Sequence, residues 1–306
     1  MMTDHFAQAI EATGMTAPDT IHADGQLHRF SPTGKRSDAA GWYVLHDDGL
    51  PAGVFGCWRT GLAETWCSKA ESTLTQTERD TLRQRVKDAK AQRDADTQQR
   101  QQGAAIHAAQ RWAAAGQAPD EHPYLVRKGI AAHGLRVEGG LLLVPMRDTN
   151  GTVHSLQTIT ATGEKRFMTG GRVCGCYHSV GCPDAAIVVG EGMATMHSIR
   201  AATGLAVAAA FSASNLAPVA QALRRKFPAL PILLAADDDH ATEGNPGLTA
   251  ARAAALAVGG LVVVPQFPAD RPPKATDFND LFSLAGAGAV CACFAEVLEG
   301  MSHAPR

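Results

Sequence analysis

The sequence predicts an α/β protein. A parallel sheet with flanking helices should fill its carboxyl-terminal part, preceded by an antiparallel β-rich basic subdomain, a long helix and a small N-terminal β module. Three observations carry this. Strand-like and helix-like segments alternate from Asp184 onward. A polar stretch without Gly or Pro runs from Glu71 to Gln102. Short β-prone runs broken by Asp48-Gly49, Asn150-Gly151 and Thr162-Gly163 occupy the segments on either side of it.

Residues 1–70 form the first expected unit. Its β-prone runs include Gly41-Trp42-Tyr43-Val44-Leu45, Val54-Phe55-Gly56-Cys57-Trp58 and Glu64-Thr65-Trp66-Cys67. Three of the four tryptophans fall here, so large side chains are expected to build a small core, with base stacking as the alternative use. Residues 71–118 read as a connecting helix. Between Glu71 and Gln102 seven basic and six acidic residues nearly cancel, and Leu82, Val86 and Ala89 make only a thin apolar stripe, which suits a solvated helix.

Residues 119–182 read as a curled antiparallel sheet built around Leu141–Arg147, Val153–Ile159 and Lys165–Phe167. Seven Lys or Arg stand against five Asp or Glu, a modest excess available to one face. Residues 183–300 then alternate: strands at Ala185–Val189, Leu205–Ala210, Pro231–Ala236 and Leu261–Val264, with helices at Met193–Ala202, Leu216–Phe227 and Leu248–Val258. Ligands of such sheets bind at the carboxyl ends of the strands, so the residues following each strand matter most.

Those positions hold acids. Gly190-Glu191-Gly192 follows the first strand, Asp237-Asp238-Asp239 the third, and Lys274-Ala-Thr-Asp277-Phe-Asn-Asp280 lies beyond the fourth. Carboxylates gathered at one edge repel one another unless a divalent cation offsets the charge. Alternate side chains of an extended segment share a side, so Asp237 and Asp239 can share a metal while Asp238 points elsewhere. Mg²⁺, or Mn²⁺ in its place, suits an oxygen-only site that bridges to phosphate. Gly190 and Gly192 would allow backbone to approach a phosphate, and would equally serve a tight strand-to-helix turn.

Seven cysteines, with Cys174, Cys176 and Cys182 the densest group, lack the paired spacing of a structural zinc site, so reduced thiols are expected and zinc is not. A net charge of −2 excludes a generally basic nucleic-acid coat. No run of about 18 consecutive apolar residues and no secretory leader is evident, so a cytoplasmic protein without a membrane partner is expected.

The Glu191-Gly192 and Asp237-x-Asp239 pair resembles the signature of the Toprim domain shared by bacterial-type primases, topoisomerases and some nucleases. The stretches EGMATMHSIRAATGL, FSASNLAPVAQALR, AADDD with NPGLTAARAAA, and KATDFNDL are most similar to the primases of plasmids, phages and integrative elements. Upstream, YLVRKGI, VPMRDTNGTVHSLQ, GEKRFMTGG and CYHSVG follow the order of the basic subdomain that precedes Toprim in replicative primases. The N-terminal HRF, GWYVLHDDGLPAGVFGCW and ETW resemble the corresponding part of mobile-element primases.

The resemblance implies DNA-templated synthesis of short primers on single-stranded DNA by Mg-dependent nucleotidyl transfer from nucleoside triphosphates. The implied catalytic metal site is Glu191, Asp237 and Asp239, with Asp277 as a further ligand. Glu191 is either general base or metal ligand. Lys165 and Arg166, Arg127 or its neighbour Lys128, and Lys274 are the implied nucleic-acid or nucleotide contacts. A replicative helicase is the implied protein partner. Two other uses of the same residues are a metal-dependent nuclease and a non-catalytic single-stranded-DNA-binding accessory. Residues 183–306 carry 8 basic and 11 acidic side chains against 20 and 19 in residues 1–182, so the acidic surplus sits where the metal is expected.

Overall fold

Phe6 and Ile10, one helical turn apart, are both fully buried, and that pair turns residues the sequence reading left unassigned into helix α1 (Met2–Ala12). Each such side chain contributes about 2 kcal/mol by leaving water. The computed structural model describes residues 2–35 and 38–302 and divides into two units, Met1–Gln99 and Arg100–Arg306.

In the first unit, β1 (His28–Phe30), β2 (Gly41–His46), β3 (Ala52–Cys57) and β4 (Leu62–Cys67) form an antiparallel meander. Helix α1 covers one face through Phe6, Ile10, Tyr43, Leu45 and Phe55. The other face buries Trp42, Val44 and Val54 against Val86 and Ala89 of helix α2 (Gln76–Ala114). The tryptophans therefore serve packing: Trp42 is 2 % exposed, Trp66 meets Phe6 edge-on at 5.5 Å, and Trp58 lies 3.9 Å beneath the Arg29 guanidinium. Helix α2 is mostly solvated, as its charge balance suggests. Some of its nine alanines nonetheless make closely packed seams, since Ala89 and, past the boundary, Ala108 are 1 % and 0 % exposed.

The second unit begins within α2 and continues through β5 (Gly116–Gln117), the short helix α3 (Pro123–Lys128), β6 (Arg136–Glu138), β7 (Leu141–Arg147), β8 (Val153–Ile159) and β9 (Lys165–Phe167). These strands form one antiparallel sheet in chain order. Alternation along β7 and β8 splits its apolar residues. Leu143 and Leu156 pack with Ala108 and Trp112 of α2, whereas Leu142, Val144 and Ile159 join the main core of the second sheet. The turn at Asn150-Gly151 is closed by Asp148, whose Oδ1 accepts from the amides of Asn150 and Thr152 at 2.9 and 3.1 Å.

The second sheet has the order β10 (His178–Val180), β12 (Ala206–Ala209), β11 (Ile187–Gly190), β13 (Ile232–Ala235), β14 (Leu261–Val263). The pairs β11–β12, β11–β13 and β13–β14 are parallel, while β10 runs antiparallel at the edge. Strand β10 lies before the boundary expected at residue 183, so this sheet begins earlier than the sequence reading placed it. Helices α4 (Met193–Thr203), α5 (Ala213–Lys226), α6 (Pro246–Val258) and α7 (Phe278–Ser302) complete the unit. Helices α5 and α6 pack one face through Leu216, Val219, Ala251 and Ala255, and α4 and α7 the other through Met196, Ile199, Leu281 and Phe294. Residues Phe278–Glu299 of α7 are long and apolar enough to cross a membrane by length and composition. The helix is broken at Gly286 (φ +78°), and its Phe278, Leu281, Val290, Cys293 and Phe294 are buried in the core.

Candidate active site

Parallel strands end together, and that brings distant acids to one edge. Glu191 follows β11 directly; its carbonyl accepts from the Phe211 amide at 2.8 Å, which ties the ends of β11 and β12. Asp237, Asp238 and Asp239 follow β13, and Asp277 stands immediately before α7. Burial raises the Asp237 carboxyl to about 8, helped by the negative charges of Asp277, Glu191, Asp239 and Asp280. Burial likewise raises Glu191, with Asp239 adding to it and the Ala213 amide opposing. Asp237 Oδ1 is buried without a hydrogen-bond partner. An orphaned carboxylate oxygen among like charges is the environment a cation would relieve.

Asp238 does point elsewhere. Burial opposes its ionisation, yet hydrogen bonds from Arg271 Nη1 (2.5 Å) and Asn245 Nδ2 (2.7 Å) hold its carboxyl below the usual range. Asn245 also accepts the Asp239 amide at 2.9 Å and caps α6, with its backbone in the left-handed region at φ +40°. Gly247, in the first turn of α6, donates its amide to Asp239 Oδ2 at 3.1 Å. A Cβ there would lie 2.6 Å from the Asp237 carbonyl and 2.9 Å from Asp239 Oδ2, so only glycine lets the helix approach the acids this closely.

Asp277 has a structural occupation. Its Oδ1 accepts the Asp280 amide at 2.9 Å and its Oδ2 the Thr195 hydroxyl at 3.1 Å, while Asp280 Oδ2 accepts the Thr276 amide at 2.9 Å. This reciprocal pair starts α7 in the manner of a capping box. Burial and the Asp280 charge raise the Asp277 carboxyl, against the opposing pull of its hydrogen bonds and Lys128. Among the described residues no three His, Cys, Asp or Glu side chains stand as a ready metal ligand set. The acids that fit a divalent cation are therefore Glu191, Asp237 and Asp239, brought to one edge but not closed on a centre, with Asp277 already bonded at both oxygens.

The glycines flanking Glu191 serve the interior. Gly190 is buried, and a Cβ on it would meet the Met196 thioether methyl at 2.4 Å and the Ala235 carbonyl at 3.2 Å; on Gly192 it would meet Thr195 Oγ1 at 2.9 Å. Gly192 is the N-cap of α4.

The basic residues separate into two groups. On β9, Lys165 and Phe167 pair with Ile159 and Gln157, both buried, whereas Arg166 pairs with Thr158 and projects from the opposite face. Arg166 is bonded to Glu164 at 2.7 Å. The Lys165 ammonium loses hydration to surrounding protein and is repelled by Lys128, so its proton is held less tightly than usual, with Asp277 and Asp237 opposing. The Lys128 charge also favours the Asp277 carboxylate, so Lys128 lies within electrostatic reach of the acidic edge. Arg127 instead donates to the Ala161 carbonyl at 2.9 Å and lies over the Tyr124 ring. Lys274 is exposed in the loop before Asp277.

Three residues that position this edge escaped the sequence reading. Buried Asn215 donates from Nδ2 to the carbonyls of Val173, Cys176 and Ala210 and accepts the Gly175 amide at 2.8 Å, pinning the segment before β10 to the end of β12. Buried Asn279 donates to the Lys128 carbonyl at 2.8 Å and to Ser198 Oγ at 2.9 Å, fixing α3 beside α7. Tyr124, 2 % exposed, keeps a buried hydroxyl without a partner; burial, reinforced by Asp277, raises it to about 12. Asn215 and Asn279 lie within the quoted stretches FSASN and FNDL, but composition does not distinguish a clamp from a turn.

Two histidines lie close in sequence to the acids, His197 on α4 after Glu191 and His240 directly after Asp239. His197 is 3 % exposed and belongs to the packing between β10 and α4. Its Nδ1 lies 3.0 Å from the Ala131 carbonyl and its Nε2 3.2 Å from Nε2 of buried His178. A carbonyl only accepts, so His197 carries its proton on Nδ1 and His178 donates from Nε2. Burial, first of all, depresses His197 to about 4 and His178 well below 6.5. His240 is exposed beside Asp238. All seven cysteines are free; Cys176 is buried with its Sγ 3.3 Å from Arg172 Nε.

Residues 186–288 match the family described as Toprim domain. This part of the chain is a Toprim domain. Over most of its length the chain is similar to two Escherichia coli proteins named DNA primase TraC. One is 37 % identical over 297 residues, covering 88 % of this chain and 28 % of the relative. The other is 36 % identical over 282 residues, covering 86 % and 19 %. The chain thus spans from just under a fifth to somewhat over a quarter of the length of these relatives. Among solved structures, the primase fragment of the bacteriophage T7 primase-helicase protein is similar with a TM-score of 0.42 and 18 % identity, over 55 % of this chain and 72 % of that one.

Proposed function

We propose that this chain is the catalytic part of a DNA primase, joining nucleoside triphosphates into short primers on a single-stranded DNA template. One observation carries the reading: the ends of two neighbouring parallel strands of a Toprim sheet, β11 and β13, bring Glu191, Asp237 and Asp239 to one edge, with Asp237 Oδ1 buried and unpartnered and the Lys165 ammonium within electrostatic reach of Asp237. The similarity to DNA primase TraC supports it.

Glu191, Asp237 and Asp239 would hold the divalent cation, Mg²⁺ or Mn²⁺. When bound, such an ion lowers the pKa of an attacking hydroxyl and offsets triphosphate charge. The chain's own residues do the positioning. Asn245 and Gly247 hold Asp239 by hydrogen bonds, and Asn245 with Arg271 turns Asp238 out of the way. Lys165 and Lys128 place positive charge opposite the acids, where phosphates of the nucleotide or strand would lie. In the reaction the primer 3′-hydroxyl gives up its proton, to Glu191 or to solvent, its oxygen bonds to the α-phosphorus of the incoming nucleotide, and pyrophosphate leaves with the electrons of the broken P–O bond. Mildly basic surface beside an acidic edge suits a strand that is gripped locally rather than coated. The helicase partner is carried as a proposal by the sequence resemblance, and a cytoplasmic setting is proposed with it.

Incubating the full chain with ribonucleoside or deoxyribonucleoside triphosphates, Mg²⁺ and single-stranded DNA tests the reading. Template-dependent oligonucleotides are expected. Template fragments would indicate the nuclease, and binding without products the accessory; either overturns the proposal.

A further inference from the structure

Phe211 is a bulky residue in the left-handed region, at φ +72°, where glycine is the natural occupant. The backbone around it is fixed from several sides. Its amide donates to the Glu191 carbonyl at 2.8 Å, the Ala210 amide donates to the Gly190 carbonyl at 2.8 Å, and the Ala210 carbonyl accepts from Asn215 Nδ2 at 2.8 Å. Glycine would satisfy all of these bonds without strain, so the backbone gives no reason for the aromatic ring. The ring is partly buried against the core of the second sheet, and it has a further contact beyond that core. It meets Phe167 edge-on, with centroids 6.1 Å apart and planes at 85°. Phe167 is 43 % exposed, one of the few large apolar side chains left open to water. It projects from the same face of β9 as Lys165, two residues before it.

We propose that Phe167, braced by Phe211, is a stacking platform for a nucleobase at the margin of the acidic edge. The inference rests on the reading of this edge as a nucleic-acid and nucleotide site. An exposed ring beside a cation on one strand face gives each nucleotide two contacts, the ring for the base and Lys165 for its phosphate. The perpendicular contact with Phe211 braces the Phe167 ring, and at 43 % exposure the ring keeps open surface for a base. Stacking tolerates any base, which suits an enzyme that must copy every template position. Phe211 acts through Phe167 and is a positioning residue.

The test uses the full chain and fluorescence anisotropy with three probes: a labelled oligodeoxynucleotide, an abasic strand of equal length, and a fluorescent ATP analogue. Phe167→Ala is expected to weaken the base-bearing strand about tenfold and the abasic strand less than about twofold. Phe167→Trp should restore binding and Phe167→Leu, which keeps bulk without a π face, should not. Loss confined to the ATP analogue would identify the incoming nucleotide as the source of the base. Phe211→Gly trades relief of backbone strain for lost core packing, and should bind the base-bearing strand more weakly while the abasic strand changes less than about twofold. Equal losses on base-bearing and abasic strands, or no loss on any probe, overturn the platform. A lower melting temperature for Phe211→Gly with intact binding would make its ring core packing and overturn the brace. Should the wild type bind none of the three probes, the nucleic-acid reading of the whole edge fails, a result distinct from failure of the platform alone.

Discussion

Asn245 Nδ2 donates to Asp238 Oδ1 at 2.7 Å, and through this bond the middle acid of the triplet is turned away from its two neighbours. The same side chain accepts the Asp239 amide and caps α6, so one residue sets the orientation of the acids and the start of the helix behind them. Asn245→Ala removes the cap and places a Cβ residue without polar help at φ +40°. A loss of about 2 kcal/mol is expected, read from urea melts. Asn245→Gly, which accepts the backbone angle, should recover part of it. Equal stability of wild type and Asn245→Ala would contradict this role.

Gly247→Ala should disturb the acids more than the fold. The new Cβ would press on the Asp237 carbonyl, which belongs to backbone and yields little. A cost of about 1–3 kcal/mol is expected, with primer synthesis falling much further than the far-ultraviolet dichroism. Wild-type synthesis by this variant would show that the helix has room to retreat.

The unpartnered Asp237 oxygen predicts a protein whose active-site charge weakens its own fold. At pH 9, above the value of about 8 to which the Asp237 carboxyl is raised, Asp237→Asn removes one of the repelling charges and should raise the melting temperature in EDTA by several degrees. Mg²⁺ or Mn²⁺ should then stabilise the wild type and leave the variant nearly unmoved. A variant less stable than wild type in EDTA would mean that the carboxylate has a partner.

How much of this was legible beforehand follows from what each signal measures. Alternating apolar runs and the acids after them gave the parallel sheet and the positions of Glu191, Asp237 and Asp239, because strand ends are local in sequence. The helix α5 starts at Ala213, three residues earlier than its apolar pattern suggested, since Ser212 and the turn at Phe211 define its end rather than hydrophobicity. Helix α1 was missed because only Phe6 and Ile10 mark it as packed. Arg127 and Lys128 are adjacent and chemically alike, and only the direction of α3 sends Lys128 to the acids and Arg127 to the Ala161 carbonyl. Asp277 was legible as an acid near the edge. Its reciprocal bonds with Asp280, three residues on, needed the helix start to become visible.

The division of the basic residues predicts a division of binding. Lys128→Ala and Lys165→Ala should each weaken single-stranded DNA binding and lower the slope of log affinity against log salt by about 0.7. Arg166→Ala, on the opposite face of β9 and paired with Glu164, should leave both nearly unchanged. Anisotropy titrations at several salt concentrations decide it. An effect of Arg166→Ala equal to that of Lys165→Ala would contradict the face assignment.

The His178–His197 pair predicts acid sensitivity. Both are held neutral in the fold by burial, with His133 and Arg147 adding unfavourable positive charge nearby. The unfolded chain takes up protons below about pH 6.5 while folded His197 resists until about 4, so stability falls as pH drops through that window. His197 alone accounts for about 3 kcal/mol across it. Urea unfolding at pH 7 and pH 4.5 should show this slope in the wild type and a smaller one in His178→Asn/His197→Asn. The same slope in both would contradict it.

The central claim, that the acidic edge joins nucleotides, is tested most directly by primer synthesis on single-stranded DNA with Mg²⁺, comparing wild type with Glu191→Gln and Asp237→Asn. Template-dependent oligonucleotides from the wild type, and none from either folded variant, are predicted. Full synthesis by either variant would contradict the account.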